Sequence, residues 1–313
     1  MSVLAVEHVT HYRYAAAVEL AHHVAYLRPA TANGQRLESF ELAIEPPPAH
    51  RRDETDAFGN HRLAFTLAGA HRALSVRMRA RVRVAEAPAF DADATLPWEA
   101  VRERLRFAAG AAYEPASQFA VPSPYVPRLA ALRDWAAPSF TPGRPVAAAA
   151  IDLMARLHRE FTYRSQSTTL ETPLAEVLAR REGVCQDFAH VMIGALRMHG
   201  LAARYVSGYL LTTSVHDGDG AAPLVGADAS HAWLAVWCPR ADGADAHWLE
   251  LDPTNNLLPN QSHVRLGVGR DYGDVTPLRG VIRGGGEHRL TVQVHTQRVA
   301  EPMAEDLRGD ARP

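Results

Sequence analysis

Gly183-Val184-Cys185-Gln186-Asp187-Phe188-Ala189-His190 is the stretch from which the rest of the chain is read. A glycine interrupts the chain, and an apolar-periodic run follows at once. Cys185, Phe188, Ala189, Met192, Ile193 and Leu196 recur at the i, i+3, i+4, i+7 spacing of an amphipathic helix. Gly200 marks its expected end, since glycine is favoured just past a helix C-terminus. Cys185 then falls in the first turn, on the inward face. Unpaired N–H groups and the positive end of the helix dipole favour an anion there, which suits a nucleophilic thiolate. It suits equally a small buried apolar side chain, the commoner use of a free cysteine. What separates the two readings lies downstream.

After Gly200 the period of the pattern changes to two. Ala203–Leu211, Ala232–Cys238 and Trp248–Asp252 read as strands, with Asp217-Gly218-Asp219-Gly220 as a flexible loop before the second. His231 opens its strand and shares a face with Trp233 and Trp237. Asp252 ends another, where Pro253 stops further pairing. A helix-start cysteine with histidine and aspartate on neighbouring strands meets the needs of thiol catalysis. The thiolate attacks an acyl carbon, the imidazole moves the proton, and the carboxylate fixes the imidazole's tautomer and charge. Taken singly, a strand histidine is usually only hydrogen-bonded and an Asp-Pro pair is usually only a turn. The ordered set Cys185, His231, Asp252 carries the chemistry.

Upstream, residues 1–88 read as β structure. Leu74, Val76, Met78, Ala80, Val82 and Val84 alternate with Ser75, Arg77, Arg79, Arg81 and Arg83, the period of a strand with one buried face. Pro46-Pro47-Pro48 and the Arg52–Asn60 segment punctuate these strands, and a small antiparallel sandwich is the natural reading. The arginine row marks a solvated strand face rather than a phosphate site. His8, His11, His22 and His23 lack the cysteines or carboxylates of a metal cluster. From Ala87 the pattern turns helical, over Trp98–Ala109, Pro127–Trp135, Pro145–Phe161 and Leu174–Arg180. Near the end, Gly284-Gly285-Gly286 precedes an alternating strand through Leu290, Val292 and Val294. With no helix behind it, this triplet is no phosphate loop.

The chain has 313 residues, 47% of them hydrophobic, enough for one large domain or two moderate ones. A formal net charge of −2 argues against general affinity for nucleic acid or an anionic membrane. Two cysteines, Cys185 and Cys238, are too few for a disulfide framework and suit a reducing compartment. The first residues lack the basic start and unbroken apolar core of a signal peptide, and no stretch approaches the roughly 18 apolar residues of a membrane span. A cytoplasmic location is expected.

These residues resemble a known family. Gly183–His190, Arg204-Tyr205-Val206-Ser207-Gly208-Tyr209, Ser230-His231-Ala232-Trp233 and Leu251-Asp252-Pro253-Thr254 are similar to the core of bacterial transglutaminase-like proteins. The likeness covers roughly 147–256, and the first eighty or so residues are similar to the β-rich region that accompanies this core in bacteria. Arg270–Val275 through Arg279-Gly280 looks similar as well. The resemblance implies an α+β chain: a papain-like helix-plus-antiparallel-sheet core with an N-terminal β-sandwich. It implies Cys185 as nucleophile, His231 as general acid/base, Asp252 as orienting carboxylate, and no metal or organic cofactor.

The expected organisation is a β-rich domain over 1–88, a helical segment with the catalytic core and C-terminal strands over 89–300, and a disordered tail over 301–313. The backbone N–H of Cys185 is a first oxyanion donor by its position. Gln166 is the candidate for the second, the role of Gln186 is open, and Asp187 complements the helix dipole. Trp233 either walls the acyl site or packs in the core. Three readings follow: a hydrolase of peptide or isopeptide amides, an amine acyltransferase with the same triad, and a silent binding module. The oligomeric state is not legible. Asp217-Gly218-Asp219-Gly220 is too sparse in ligands for a calcium loop.

Overall fold

In the computed structural model residues 1–110, 112–212, 224–226, 230–243 and 246–300 are described. The loop around Asp217-Gly218-Asp219-Gly220 and the tail at 301–313 lie outside them. Five strands follow the alternation of the first 84 residues: β1 (Ser2–Ala25), β2 (Gln35–Glu45), β3 (His50–Thr55), β4 (His61–Leu67) and β5 (His71–Val84). Leu74, Val76, Met78, Ala80 and Val82 of β5 turn into a core with Leu4, Val6, Leu63, Phe65 and Leu67. The intervening arginines face outward, where Arg79 bonds Glu7 (2.9 Å) and Arg83 bonds Glu38 (2.7 Å). Exposed pairs of this kind add little stability, so the apolar face holds the sheet together.

The expected sandwich is hydrogen-bonded as one seven-stranded sheet. Its organiser is β1, whose register breaks between Arg13 and Val18. Up to Val18 it pairs with β5, and from Ala21 on with β4. Two strands from the end of the chain take its other edge: β12 (Leu278–Gly284) beside residues 18–25, and β13 (His288–Arg298) beside residues 4–14. The sequence reading groups these last strands with the helical core, whereas pairing places them on β1. Without them, a long run of N–H and C=O groups on β1 would have no partner. The glycine triplet is the turn between them. All three residues have positive φ (91°, 85° and 63°), and a Cβ on Gly284 would stand 2.5 Å from the Ala17 carbonyl oxygen.

The middle of the chain is helical: α1 (Trp98–Leu105), α2 (Ala130–Ala136), α3 (Val146–Glu160), α4 (Leu174–Arg180) and α5 (Cys185–Met198). Helix α1 stops short of Ala109, and the next aromatic, Phe107, is 91% exposed, so nothing rewards a further turn. Helix α5 is the axis of this half, buried along most of its length and packed by α2, α3 and α4. Behind it lies a four-stranded antiparallel sheet in the order β10 (His247–Leu251), β9 (His231–Cys238), β8 (Ala203–Leu210), β11 (His263–Gly269). Every residue of β9 is buried, so this strand has apolar matter on both faces. Two short parallel strands, β6 (Thr162–Tyr163) and β7 (Glu182–Gly183), lead the chain into α5. Among the described residues no helix is long and apolar enough to cross a membrane.

Strand β8 joins the two halves. Tyr205 belongs to the helical core, while Tyr209 belongs to the core of the first sheet. There the Tyr209 hydroxyl meets His8 Nδ1 at 2.9 Å, and His8 Nε2 meets the Thr10 hydroxyl at 2.8 Å. His8 is 1% exposed, and burial pushes its imidazole down to about 4. Between pH 6.5 and 4 the unfolded chain therefore binds a proton at His8 that the folded chain refuses. This contribution to stability is present above pH 6.5 and falls as the pH drops toward 4, by up to about 3 kcal/mol. Thermal melts should show it: His8→Gln, which cannot titrate, should lose less stability than the parent chain between pH 7 and pH 4.5.

Candidate active site

The site is built where α5 begins. Val184 is extended (φ −109°, ψ 178°), and the helix starts at Cys185. Asp187 Oδ2 accepts the Val184 N–H (2.9 Å) and the Thr168 hydroxyl (2.6 Å), capping the first turn and pinning the 164–173 segment beside it. Burial pushes the Asp187 carboxyl up, and these two bonds pull it back. Glycine is required at 183: a Cβ there would lie 2.7 Å from Asp187 Oδ2 and 2.8 Å from Asp187 Cβ. The glycine that opens the motif thus makes room for the carboxylate that caps the helix.

His231 and Asp252 arrive from the sheet. His231 is the first residue of β9, and Asp252 follows the last residue of β10. His231 Nε2 is 2.9 Å from Asp252 Oδ2, with both side chains fully buried. Nδ1 is then the ring nitrogen left for the Cys185 thiol: it is buried without a hydrogen-bond partner among the described residues, and the sulfur is near enough to act on the imidazole by charge. Burial pulls His231 down, but the Asp252 charge, the nearby Cys185 sulfur and the hydrogen bond to Asp252 outweigh it and hold it up at about 10. Burial also pushes the Asp252 carboxyl up. It is overcome by His231 first and then by His263, which keep the group well below the usual carboxylate range.

Asp252 has more partners than the sequence announces. Oδ1 accepts the N–H groups of Thr254 (3.0 Å) and Asn255 (3.3 Å). Oδ2 accepts the Asn255 side-chain amide (2.8 Å) and His263 Nε2 (3.2 Å) as well as His231. His263 Nδ1 accepts the Asn260 N–H (3.4 Å), so the proton is on Nε2. Asn255 is hinted at by Asp-Pro-Thr-Asn, in which an aspartate binds N–H groups just ahead of it. His263 carries no local signal. It opens β11, which flanks β8 on the side opposite β9. One nitrogen of each histidine and one carboxylate oxygen of Asp252 lie within 4.8 Å of one another, a spacing a metal ion can span. Here both nitrogens hold protons directed at the carboxylate, which makes the cluster a hydrogen-bonded network rather than a set of free donors.

Trp233 is fully buried beside the two histidines, 6.0 Å from the His231 ring and edge-on to His263 at 5.4 Å. Its Nε1 donates to Glu250 Oε2 (3.0 Å), so it braces the imidazole and offers no surface to a substrate. Gly208 makes room for it, because a Cβ there would lie 2.3 Å from Trp233 Cη2. Gly226 lies over the other side of His231: a Cβ on it would come 3.0 Å from Nδ1. The neighbouring Val225 is tied to Asn255 through its N–H (2.8 Å) and carbonyl (3.3 Å). Gln166 occupies an exposed turn position with φ 63°, and Gln186 is half-buried in the first turn of α5. Among the described residues no hydrogen bond ties either glutamine to Cys185, His231 or Asp252. His190, inside the motif, is buried, and its Nε2 accepts the Tyr272 N–H (3.2 Å). Burial pushes its imidazole down to about 3, which makes it a neutral packing residue.

Comparison with known proteins agrees with this architecture. Residues 4–83 match the bacterial transglutaminase-like N-terminal region, and residues 133–253 match the transglutaminase-like superfamily. An uncharacterised protein of Mycobacterium tuberculosis is 41% identical over 288 residues, covering 91% of this chain and 89% of that protein. A protein-glutamine gamma-glutamyltransferase of Pseudomonas aeruginosa is 29% identical over 116 residues, which is 35% of this chain and 16% of that enzyme. Among solved structures, a candidate cysteine protease from Cytophaga hutchinsonii superposes with a TM-score of 0.70 at 18% identity, covering 97% of this chain and 92% of that one. At that identity the likeness is one of fold.

The two cysteines differ in surroundings. Cys185 keeps 8% of its surface and lies beside an imidazole, whereas Cys238 is fully enclosed and burial pushes its thiol up to about 12. With limiting iodoacetamide near pH 7, peptide mapping should find Cys185 alkylated first, and His231→Ala should slow that reaction. Gly183→Ala forces the new methyl into Asp187 and should cost on the order of 1–3 kcal/mol, read as a lower Tm.

Proposed function

The chain belongs to the bacterial transglutaminase-like family, and from that premise we propose that it is a thiol-dependent amide hydrolase of the cysteine peptidase or isopeptidase type. Membership of the superfamily supports a thiol-dependent enzyme. The observation that carries the finer reading is the His231 imidazole, bonded through Nε2 to Asp252 and interacting on its other side with Cys185.

In this reading Cys185 Sγ attacks the amide carbon of a peptide or protein substrate. The negative charge that develops on the carbonyl oxygen meets the backbone N–H of Cys185, one of the unpaired donors of the first helical turn. His231, protonated at neutral pH, gives the Nδ1 proton to the departing amine as the C–N bond breaks, leaving a thioester on Cys185. Water then attacks the thioester carbon and loses a proton to His231, and the acid departs as sulfur takes the electron pair. Asp252 holds the ring and balances its charge throughout. Among the described residues no hydrogen bond orients Gln166 or Gln186 toward the thiol as a second oxyanion donor. The two free cysteines suit a reducing compartment, so we place the enzyme in the cytoplasm.

Acyl transfer to an amine is the second reading. It is favoured by the partial likeness to the gamma-glutamyltransferase and by the burial of the pair, with Cys185 8% and His231 1% exposed, since excluding water prolongs a thioester. Hydrolysis ranks first because water, at about 55 M in bulk, outcompetes an amine unless the protein orients that amine at the thioester. Mass spectrometry of products from a peptide amide library, with a primary amine in millimolar excess, decides between them. Free acid is expected, formed without added calcium and abolished in Cys185→Ala. Predominant amine adduct would establish transfer instead.

A further inference from the structure

Two histidines bind the Asp252 carboxylate, and the reaction above uses one of them. Resting on that triad reading, we propose that His263 is a positioning residue: it anchors Asp252 to the sheet and thereby sets the orientation and charge of His231.

The donors around Asp252 fall into two groups. Thr254 N–H, Asn255 N–H and the Asn255 amide all come from the turn that begins at Asp252 itself, so they move with it. His231 and His263 come from separate strands, β9 and β11, which flank β8 on its two sides. His231 must remain free to exchange protons with sulfur and substrate. Among the described residues His263 is therefore the one donor to the Asp252 carboxylate, apart from the reacting ring, that comes from outside the turn. Its own placement is over-determined: its Nδ1 accepts the Asn260 N–H, its ring meets the Trp233 indole edge-on at 5.4 Å, and its backbone starts a ladder opposite Leu210. Asp252 is 0% exposed, so no solvent molecule replaces a donor that is removed.

Charge supports the same division of labour. The charged or titratable groups facing His263 are Asp252 on the β10 side, His231 from β9 and Glu250 on β10, the last bonded to Arg265 on β11. Beyond His231 lies Cys185 at the start of α5. Burial pushes His263 down and keeps it neutral, so it supplies an N–H without placing a second cation against the His231 imidazolium. One carboxylate is thus shared between a histidine that carries charge and one that does not.

The test follows the rate at which iodoacetamide alkylates Cys185 in the full chain from pH 5 to 10, which requires no knowledge of the substrate. In His263→Leu the rate at pH 7 should fall about tenfold or more, and the rise in reactivity should move to higher pH, because the imidazolium beside sulfur is less well held. His263→Gln, whose amide can still donate to Asp252, should recover most of the rate. Wild-type profiles in both variants, alongside a changed profile in His231→Ala, would overturn the positioning role alone. An unchanged profile in His231→Ala as well would remove the triad reading and this role with it. Should the leucine variant fail to fold, 1H–15N spectra of the parent chain decide. A proton on His263 Nε2 and none on Nδ1 from pH 6 to 8 is expected, and the opposite tautomer would overturn the proposal.

Discussion

A fully buried carboxylate is costly unless every lone pair finds a donor, and Asp252 is the point on which this site turns. Among the described residues five hydrogen bonds converge on it, three from its own turn and two from histidines on separate strands. To deliver those histidines the sheet must run in the order β10-β9-β8-β11, with glycine at 208 so that the Trp233 indole fits beside both rings. The anion in turn holds the His231 imidazole protonated against a burial that would otherwise neutralise it. Remove the charge, and the chemistry of the histidine and the reason for much of the local packing go with it.

The helix start follows the same logic on a smaller scale. Asp187 is buried, and it is admitted only because it satisfies the Val184 N–H and the Thr168 hydroxyl. Each motif glycine near the site has a geometric cause. Gly183 clears the Asp187 side chain, and Gly208 clears the Trp233 ring. Small residues here are spaces for neighbours rather than hinges.

Much of this was legible in the sequence because it is local. Apolar periodicity marks α5 from Cys185 to the Gly200 boundary, and the alternation of arginine with aliphatic residues identifies the inner and outer faces of β5. Cys185, His231 and Asp252 stand out because their contexts, a helix start, a strand start and a strand end, are each readable within a few residues. His263 was not legible: its meaning depends on β11 pairing with β8, a long-range fact that no window of sequence contains. The pairing of the last two strands with β1 escaped for the same reason, since an alternating strand does not name its neighbour. Trp233 shows the limit of periodicity, which places a side chain on a face but does not say whether that face is open.

The return of β13 to β1 has a consequence for how the molecule is made. Residues 288–298 lie against residues 4–14, and the Val299 N–H reaches the Val3 carbonyl at 3.0 Å. A ribosome delivers residues 4–14 long before residues 288–298. The helical half can gather around α5 from contacts close in sequence. One edge of β1 must wait, exposed, until the last strands emerge. Strand β1 is therefore sealed late, and its open edge is what a chaperone would have to guard in the interval.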